Sequence, residues 1–150
     1  MQFRTVYMTG IHYELAYFIL LFWTLIYCSA YPKPSFKRNF LILLNIYAVI
    51  LSVAFTVYPL YRYVSGKYSV AEGVVEDFYA QPPGGHGMDE HFVVDGQYFE
   101  YSNYTITYGY RRPRCFGGVV TGNGQYLRIC YITSGVGDNR IIKIEEAVQN

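Results

Sequence analysis

The sequence predicts two closely spaced transmembrane helices followed by one small all-β domain. Three observations predict it. Two long uncharged apolar runs stand near the start, a short basic link joins them, and the second half holds short Val-, Ile-, Tyr- and Phe-rich stretches split by turn residues. Composition agrees. Of 150 residues, 52% are hydrophobic and only 15% charged, against roughly a quarter charged in an ordinary soluble domain. Mean hydropathy is only +0.10, so the apolar residues are concentrated rather than spread.

The first run is LAYFILLFWTLIYCSAYP, residues 15–32, and the second is NFLILLNIYAVILSVAFTVYPLY, residues 39–61. About 20 apolar residues cross the hydrocarbon core of a bilayer as a helix. Neither run shows a polar face at helical spacing. Spans are expected over about 13–31 and 39–60. The first lacks the basic n-region and the small-x-small site of a cleaved signal peptide. The link KPSFKR is too short for anything but antiparallel neighbours, a helical hairpin. Tyr13, Tyr17, Tyr27, Tyr31, Tyr58, Tyr61 and Tyr63 cluster near the span ends, as an interfacial aromatic belt does. Asn45, inside the second run, reads as a hydrogen bond across the hairpin, and His12 and Glu14 as interfacial residues.

Charge divides the chain. Residues 1–67 carry a net +5 and residues 68–150 a net −4. The first segment is taken as a tail plus the hairpin, the second as the β domain. The acidic second half lacks the clustered basic footprint of a nucleic-acid binder. Lys33, Lys37 and Arg38 crowd one loop, which favours a cytoplasmic loop with both termini and the β domain outside.

In the polar half a first strand is expected from Tyr68 to Tyr79, with Gly73 marking a bulge or bend. QPPGGHG, residues 81–87, is loop. The clearest element is the β-hairpin HFVV-DG-QYFEY. Asp95-Gly96 suits a type I′ turn, whose two central residues need φ > 0. In that register Phe92 faces Phe99 and His91 pairs with Glu100. Further strands are expected over 125–132 and 139–146. Five short strands in this length predict a small five-stranded barrel of the OB or SH3 kind, with a β-sandwich fragment as the alternative.

Sites are few. His86, Asp89, Glu90 and His91 lie close in GHGMDEH, but the spacing matches no metal motif, and no metal or cofactor is expected. GGVVTGNG lacks the Lys-Ser/Thr of a phosphate loop. No Ser-His-Asp or Cys-His arrangement stands out, so no enzyme is expected. Arg111, Arg112 and Arg114 form a basic knot able to grip phosphate, lipid headgroup or an acidic partner. Candidate binding residues are Tyr98, Tyr101, Tyr104, Tyr108, Tyr110, Arg111, Arg112 and Arg114, with strand packing the competing role for the tyrosines. Cys115 and Cys130 are either a disulfide, if the domain faces an oxidising compartment, or two unrelated thiols.

The ordered set AEGVVEDF, EHFVVDGQYFEYS, YGY, GGVV, GQYLRICY and IIKIE, across residues 68–146, resembles a group of uncharacterised bacterial membrane proteins that carry a small β domain beside short hydrophobic spans. The resemblance implies a bacterial inner-membrane protein and transfers no catalytic residue. The chain departs from that pattern at RRPRC ahead of Gly117-Gly118, where small polar residues and a His are expected. The function expected is a membrane-anchored, non-catalytic binding or assembly module whose partners are the lipid bilayer and another membrane or envelope protein. The alternatives are an accessory subunit of a larger membrane complex and, below that, a metal sensor or enzyme using the His86–His91 loop.

Overall fold

A computed structural model describes residues 2–9, 23–24, 26–27, 30, 36–84, 88–105 and 107–148, apart from the side chains of 52 and 53. His12, Glu14, Cys28, Lys33 and His86 lie outside the described residues, as does most of the first apolar run. In chain order the elements are β1 (Gln2–Met8), α1 (Phe36–Val64), β2 (Ser69–Val74), β3 (Glu76–Tyr79), β4 (Glu90–Val94), β5 (Gln97–Tyr101), a 3-10 turn (Arg114–Phe116), β6 (Tyr126–Thr133) and β7 (Asn139–Val148). The chain divides into two compact units, Met1–Thr9 with Pro59–Asn150, and Gly10–Tyr58.

The expected combination of a helical hairpin with a closed five-stranded barrel is overturned. The described residues contain seven strands and one long helix, α1. Residues 23, 24, 26, 27 and 30 of the first run are helical. The strands form two antiparallel sheets, ordered β1-β7-β6-β2 and β3-β4-β5. Each sheet keeps two unpaired edges, so no barrel closes.

Two physical reasons account for the difference. The strand expected over 68–79 divides at Val75, which is 1% exposed. Its N–H donates to the Gln125 carbonyl at 2.8 Å and its carbonyl accepts from Gly124 N–H at 3.0 Å. Asp77 then takes φ 49°, and the chain passes from the first sheet to the second. The other reason is β1, from a segment read as a tail. It pairs antiparallel with β7, Gln2 opposite Val148 and Arg4 opposite Glu146, with a bulge between Thr5 and Tyr7. Arg4 reaches Glu146 at 3.5 Å.

A common core lies between the sheets. Phe92, Phe99, Leu127, Ile129 and Ile144 are fully buried, and Val6, Tyr7, Phe78 and Val119 pack against the cluster they form. A smaller cluster of Cys130, Ile132 and Ile142 packs against Tyr63, Tyr68 and Tyr108.

Helix α1 is uncharged from Asn39 to Tyr61 and is long and apolar enough to cross a membrane. Its end is a Schellman motif. Lys67 N–H donates to the Arg62 carbonyl at 2.8 Å, Gly66 N–H to the Tyr63 carbonyl at 3.1 Å, and Gly66 takes φ 68°. Only glycine takes that backbone conformation without steric cost. Asn45 is satisfied inside its unit: Nδ2 donates to Thr24 Oγ1 at 2.6 Å and to the Leu41 carbonyl at 2.8 Å.

Candidate functional site

The β4–β5 hairpin builds most of the candidate site. Asp95 and Gly96 take φ 51° and 68°, the two positive values a type I′ turn needs. This turn fixes the register: Phe92 opposite Phe99, His91 opposite Glu100 and Glu90 opposite Tyr101. Because side chains alternate along a strand, Phe92, Val94, Phe99 and Tyr101 enter the core. His91, Tyr98 and Glu100 stand on the outer face. There His91 stacks on Tyr79 at 5.0 Å and lies 5.6 Å from the Tyr98 ring.

On the inner side sits a buried carboxyl group. Glu90 is fully buried and enters no ion pair among the described residues. It is satisfied by donors instead. Tyr101 Oη donates at 2.6 Å, Arg114 N–H at 2.9 and 3.1 Å to the two oxygens, and Gln81 N–H at 3.4 Å. Burial first, then the Glu90 carboxyl, push the Tyr101 phenol far above its ordinary value. Next to it, Tyr110 accepts from Val119 N–H at 2.6 Å, and burial pushes its phenol up to about 12. Its ring meets those of Tyr7 and Tyr101 edge-on, each at 4.8 Å. These groups clamp the 102–119 loop to the second sheet.

Between β5 and the start of β7 lies an open cleft of about 280 Å³. The lining residues that matter are Asp89, Tyr98, Glu100, Asp138, Asn139 and Arg140. Arg140 is paired with Asp138 at 2.7 Å. Asn139 Nδ2 donates to the Tyr98 carbonyl at 3.0 Å, a side chain bridging the two sheets. Tyr98 Oη donates to Glu100 at 3.0 Å. Asp89 and Glu100 enter no ion pair among the described residues. The Tyr98 phenol is pushed up to about 12 by partial burial, then by Glu100 and Asp89. Asp89 and Glu100, neither in an ion pair among the described residues, thus act on one point of a cleft whose one lining cation, Arg140, is paired with Asp138.

The expected binding residues do not gather. Tyr98 and Tyr101 both line the cleft, Tyr101 as a buried core residue, whereas Tyr110 is core away from it. Tyr104 is exposed, with its N–H donating to Ser102 Oγ at 3.3 Å, and Tyr108 packs on the smaller cluster. Arg111 donates to the Thr105 carbonyl at 3.0 Å, and Arg112 and Arg114 are exposed. Cys115 is exposed on the 3-10 turn and Cys130 is buried on β6, and both are free thiols. Burial pushes the Cys130 thiol above its ordinary value. Strand alternation also separates the described members of the GHGMDEH cluster, sending Glu90 inward and His91 outward. Sequence reasoning paired Glu100 with His91 but missed its meeting with Asp89, Asp138 and Arg140. Nothing local signals the meeting of Glu100 with Asp138 and Arg140, because those residues lie about forty positions further along the chain.

The chain matches no protein-family model, no curated protein and no solved structure.

Proposed function

We propose that the chain is a membrane-anchored, non-catalytic binding module whose two-sheet domain offers the β5–β7 cleft to another membrane or envelope protein. The observation that carries the reading is the surface of α1. Phe36, Phe40, Leu43, Ile46, Tyr47 and Ile50 are all at least half exposed. A helix apolar on every side is stable only where its surroundings are apolar. The length fits as well. At 1.5 Å per residue, 29 residues make a helix of about 43 Å, longer than a hydrocarbon core of roughly 30 Å.

β1 and β2 stand in one sheet, which supports a reading in which Thr9 and Ser69 lie on the same side of a membrane. The density of Lys33, Lys37 and Arg38, the last two in the first turn of α1, supports a cytoplasmic position for that end of the helix, with the sheet domain extracytoplasmic at a bacterial inner membrane. Arg62 near the end of α1, with Tyr61 and Tyr63 beside it, supports an interfacial position for that end.

The test is membrane retention of the full chain in a bacterial host. It stays with the membranes after an alkaline carbonate wash. A monodisperse soluble protein without detergent overturns the anchor. Orientation is read from single-cysteine variants Ser35→Cys and Ser134→Cys, labelled from outside intact cells. Labelling at 134 alone fits the proposed side, and labelling at 35 alone reverses it.

A further inference from the structure

We propose that the free edge of β5 accepts an extended peptide segment as an added strand, with a lysine or arginine side chain of that segment seated in the cleft against Asp89 and Glu100. The proposal rests on the binding-module reading and names its ligand.

The first observation is the strand edge. β5 is the last strand of the three-stranded sheet, paired only with β4. In an antiparallel pair, directly opposed residues alternate between pairs that exchange both backbone hydrogen bonds and pairs that exchange none. The two-residue turn Asp95-Gly96 makes Val94–Gln97 a bonded pair, so Phe92–Phe99 and Glu90–Tyr101 are bonded pairs too. Tyr98 and Glu100 belong to the other class, and their backbone N–H and C=O groups point away from β4. The Asn139 side chain already marks that direction by donating to the Tyr98 carbonyl at 3.0 Å. It occupies one acceptor where a neighbouring strand belongs. The Tyr98 N–H and both backbone groups of Glu100 stay available along the same edge. An exposed row of such groups is a template for strand addition.

The second observation is charge. The side chains beside that edge are Asp89, Tyr98 and Glu100 on one flank, with the Asp138–Arg140 pair opposite. Arg140 is paired with Asp138, and Asp89 and Glu100 enter no ion pair among the described residues. A peptide strand on β5 projects alternate side chains onto the face that carries Tyr98 and Glu100. A cationic side chain there meets two carboxylates beside the Tyr98 ring. An anionic one meets repulsion. Backbone pairing supplies the hold and the cleft supplies the choice, the division of labour found where peptides augment a sheet edge.

The test uses the full chain in mild detergent and three blocked pentapeptides that alternate valine and threonine around a central lysine, norleucine or glutamate. A fourth is the lysine peptide with N-methyl groups on the edge that faces β5. Binding is read by fluorescence anisotropy. The lysine peptide binds more tightly than the norleucine peptide, by about fivefold for a partly exposed ion pair, and this margin shrinks as salt rises. Glu100→Gln shrinks the margin between the lysine and norleucine peptides. The N-methylated peptide does not bind. Equal binding of the lysine and glutamate peptides overturns the charge selection, undiminished binding of the N-methylated peptide overturns strand addition, and failure of every peptide overturns the proposal. Asp89→Asn provides a second variant if Glu100→Gln perturbs the domain. Because membrane retention is measured separately, a failed peptide test with retention intact removes the ligand and leaves the anchored module, whereas lost retention removes the module reading itself.

Discussion

Helix α1 and the sheet domain spend similar apolar side chains in opposite ways. Along α1, Phe36 is 86% exposed and Leu43 65% exposed, while in the sheets Phe92 and Ile129 are fully buried. The sheet domain makes its own apolar interior. The helix relies on apolar surroundings it does not supply. The composition is similar in the two regions, and what separates them is pattern. Strand alternation sends one set of apolar side chains from each sheet into a shared core, whereas the apolar run of α1 leaves most of its described large side chains exposed.

The largest effect that sharpens this contrast is in the core. Phe99 is fully buried, with the Phe92 and Tyr131 rings at 5.5 and 5.2 Å. Phe99→Ala is expected to cost about 3–5 kcal/mol of sheet-domain stability, the range for deleting a buried aromatic ring. Leu43→Ala is expected to change it by less than about 0.5 kcal/mol. Chemical denaturation of the full chain in detergent, followed by near-ultraviolet circular dichroism, measures both. Equal losses break the contrast.

Next is the buried carboxyl group. Glu90→Ala strands the Tyr101 hydroxyl and the Arg114 N–H, and each buried donor left unpaired costs about 1–3 kcal/mol. Glu90→Gln keeps one acceptor oxygen and loses less. Faster hydrogen exchange at the Arg114 amide in the Ala variant follows if Glu90 clamps the loop, and unchanged exchange says that it does not.

The turn comes third. Gly96→Val places a β-branched residue at φ 68°, where an ordinary side chain costs roughly 1–2 kcal/mol. A smaller loss on denaturation contradicts the type I′ geometry.

The smallest effect is at the β2–β6 pair. Arg128 Nε donates to Glu72 at 2.7 Å, and this bond, with the Arg128 charge, lowers the Glu72 carboxyl below its ordinary 4.5. A lowered folded value means that the contribution is complete above about 4.5 and fades as pH falls through the folded value. Glu72→Gln is expected to lower stability slightly at neutral pH and to leave acid pH almost unchanged, which flattens the acid limb of the stability curve. A larger change in acid than at neutral pH reverses the assignment.

These contrasts show which parts of the molecule are legible in the sequence. The β4–β5 hairpin is legible because its determinants are local. Asp95-Gly96 sets the turn, the turn sets the register, and alternation then decides which of Phe92, Tyr98, Phe99 and Glu100 go inside. The β6 and β7 strands are legible for the same reason. β1 is not, because Gln2–Met8 alternates poorly and its partner lies at the far end of the chain. The break at Val75 is not legible either. Gly73 marks the region, but the bend depends on bonds to Gly124 and Gln125. The cleft is half legible: Tyr98 and Glu100 share a face by alternation, while Asp138 and Arg140 arrive only through the packing of one sheet on the other.

Whether α1 lies in lipid is read directly by one measurement. Ile50, 60% exposed, is replaced by cysteine in a chain whose three cysteines are serines, spin-labelled and reconstituted into phospholipid vesicles. Collision rates are then read with dissolved oxygen, which concentrates in the bilayer, and with a water-soluble nickel chelate, which does not. The account predicts frequent collisions with oxygen and few with the chelate at 50, and the reverse for a label placed at Val136, which is 85% exposed. Frequent chelate collisions at 50 put α1 in water and contradict it.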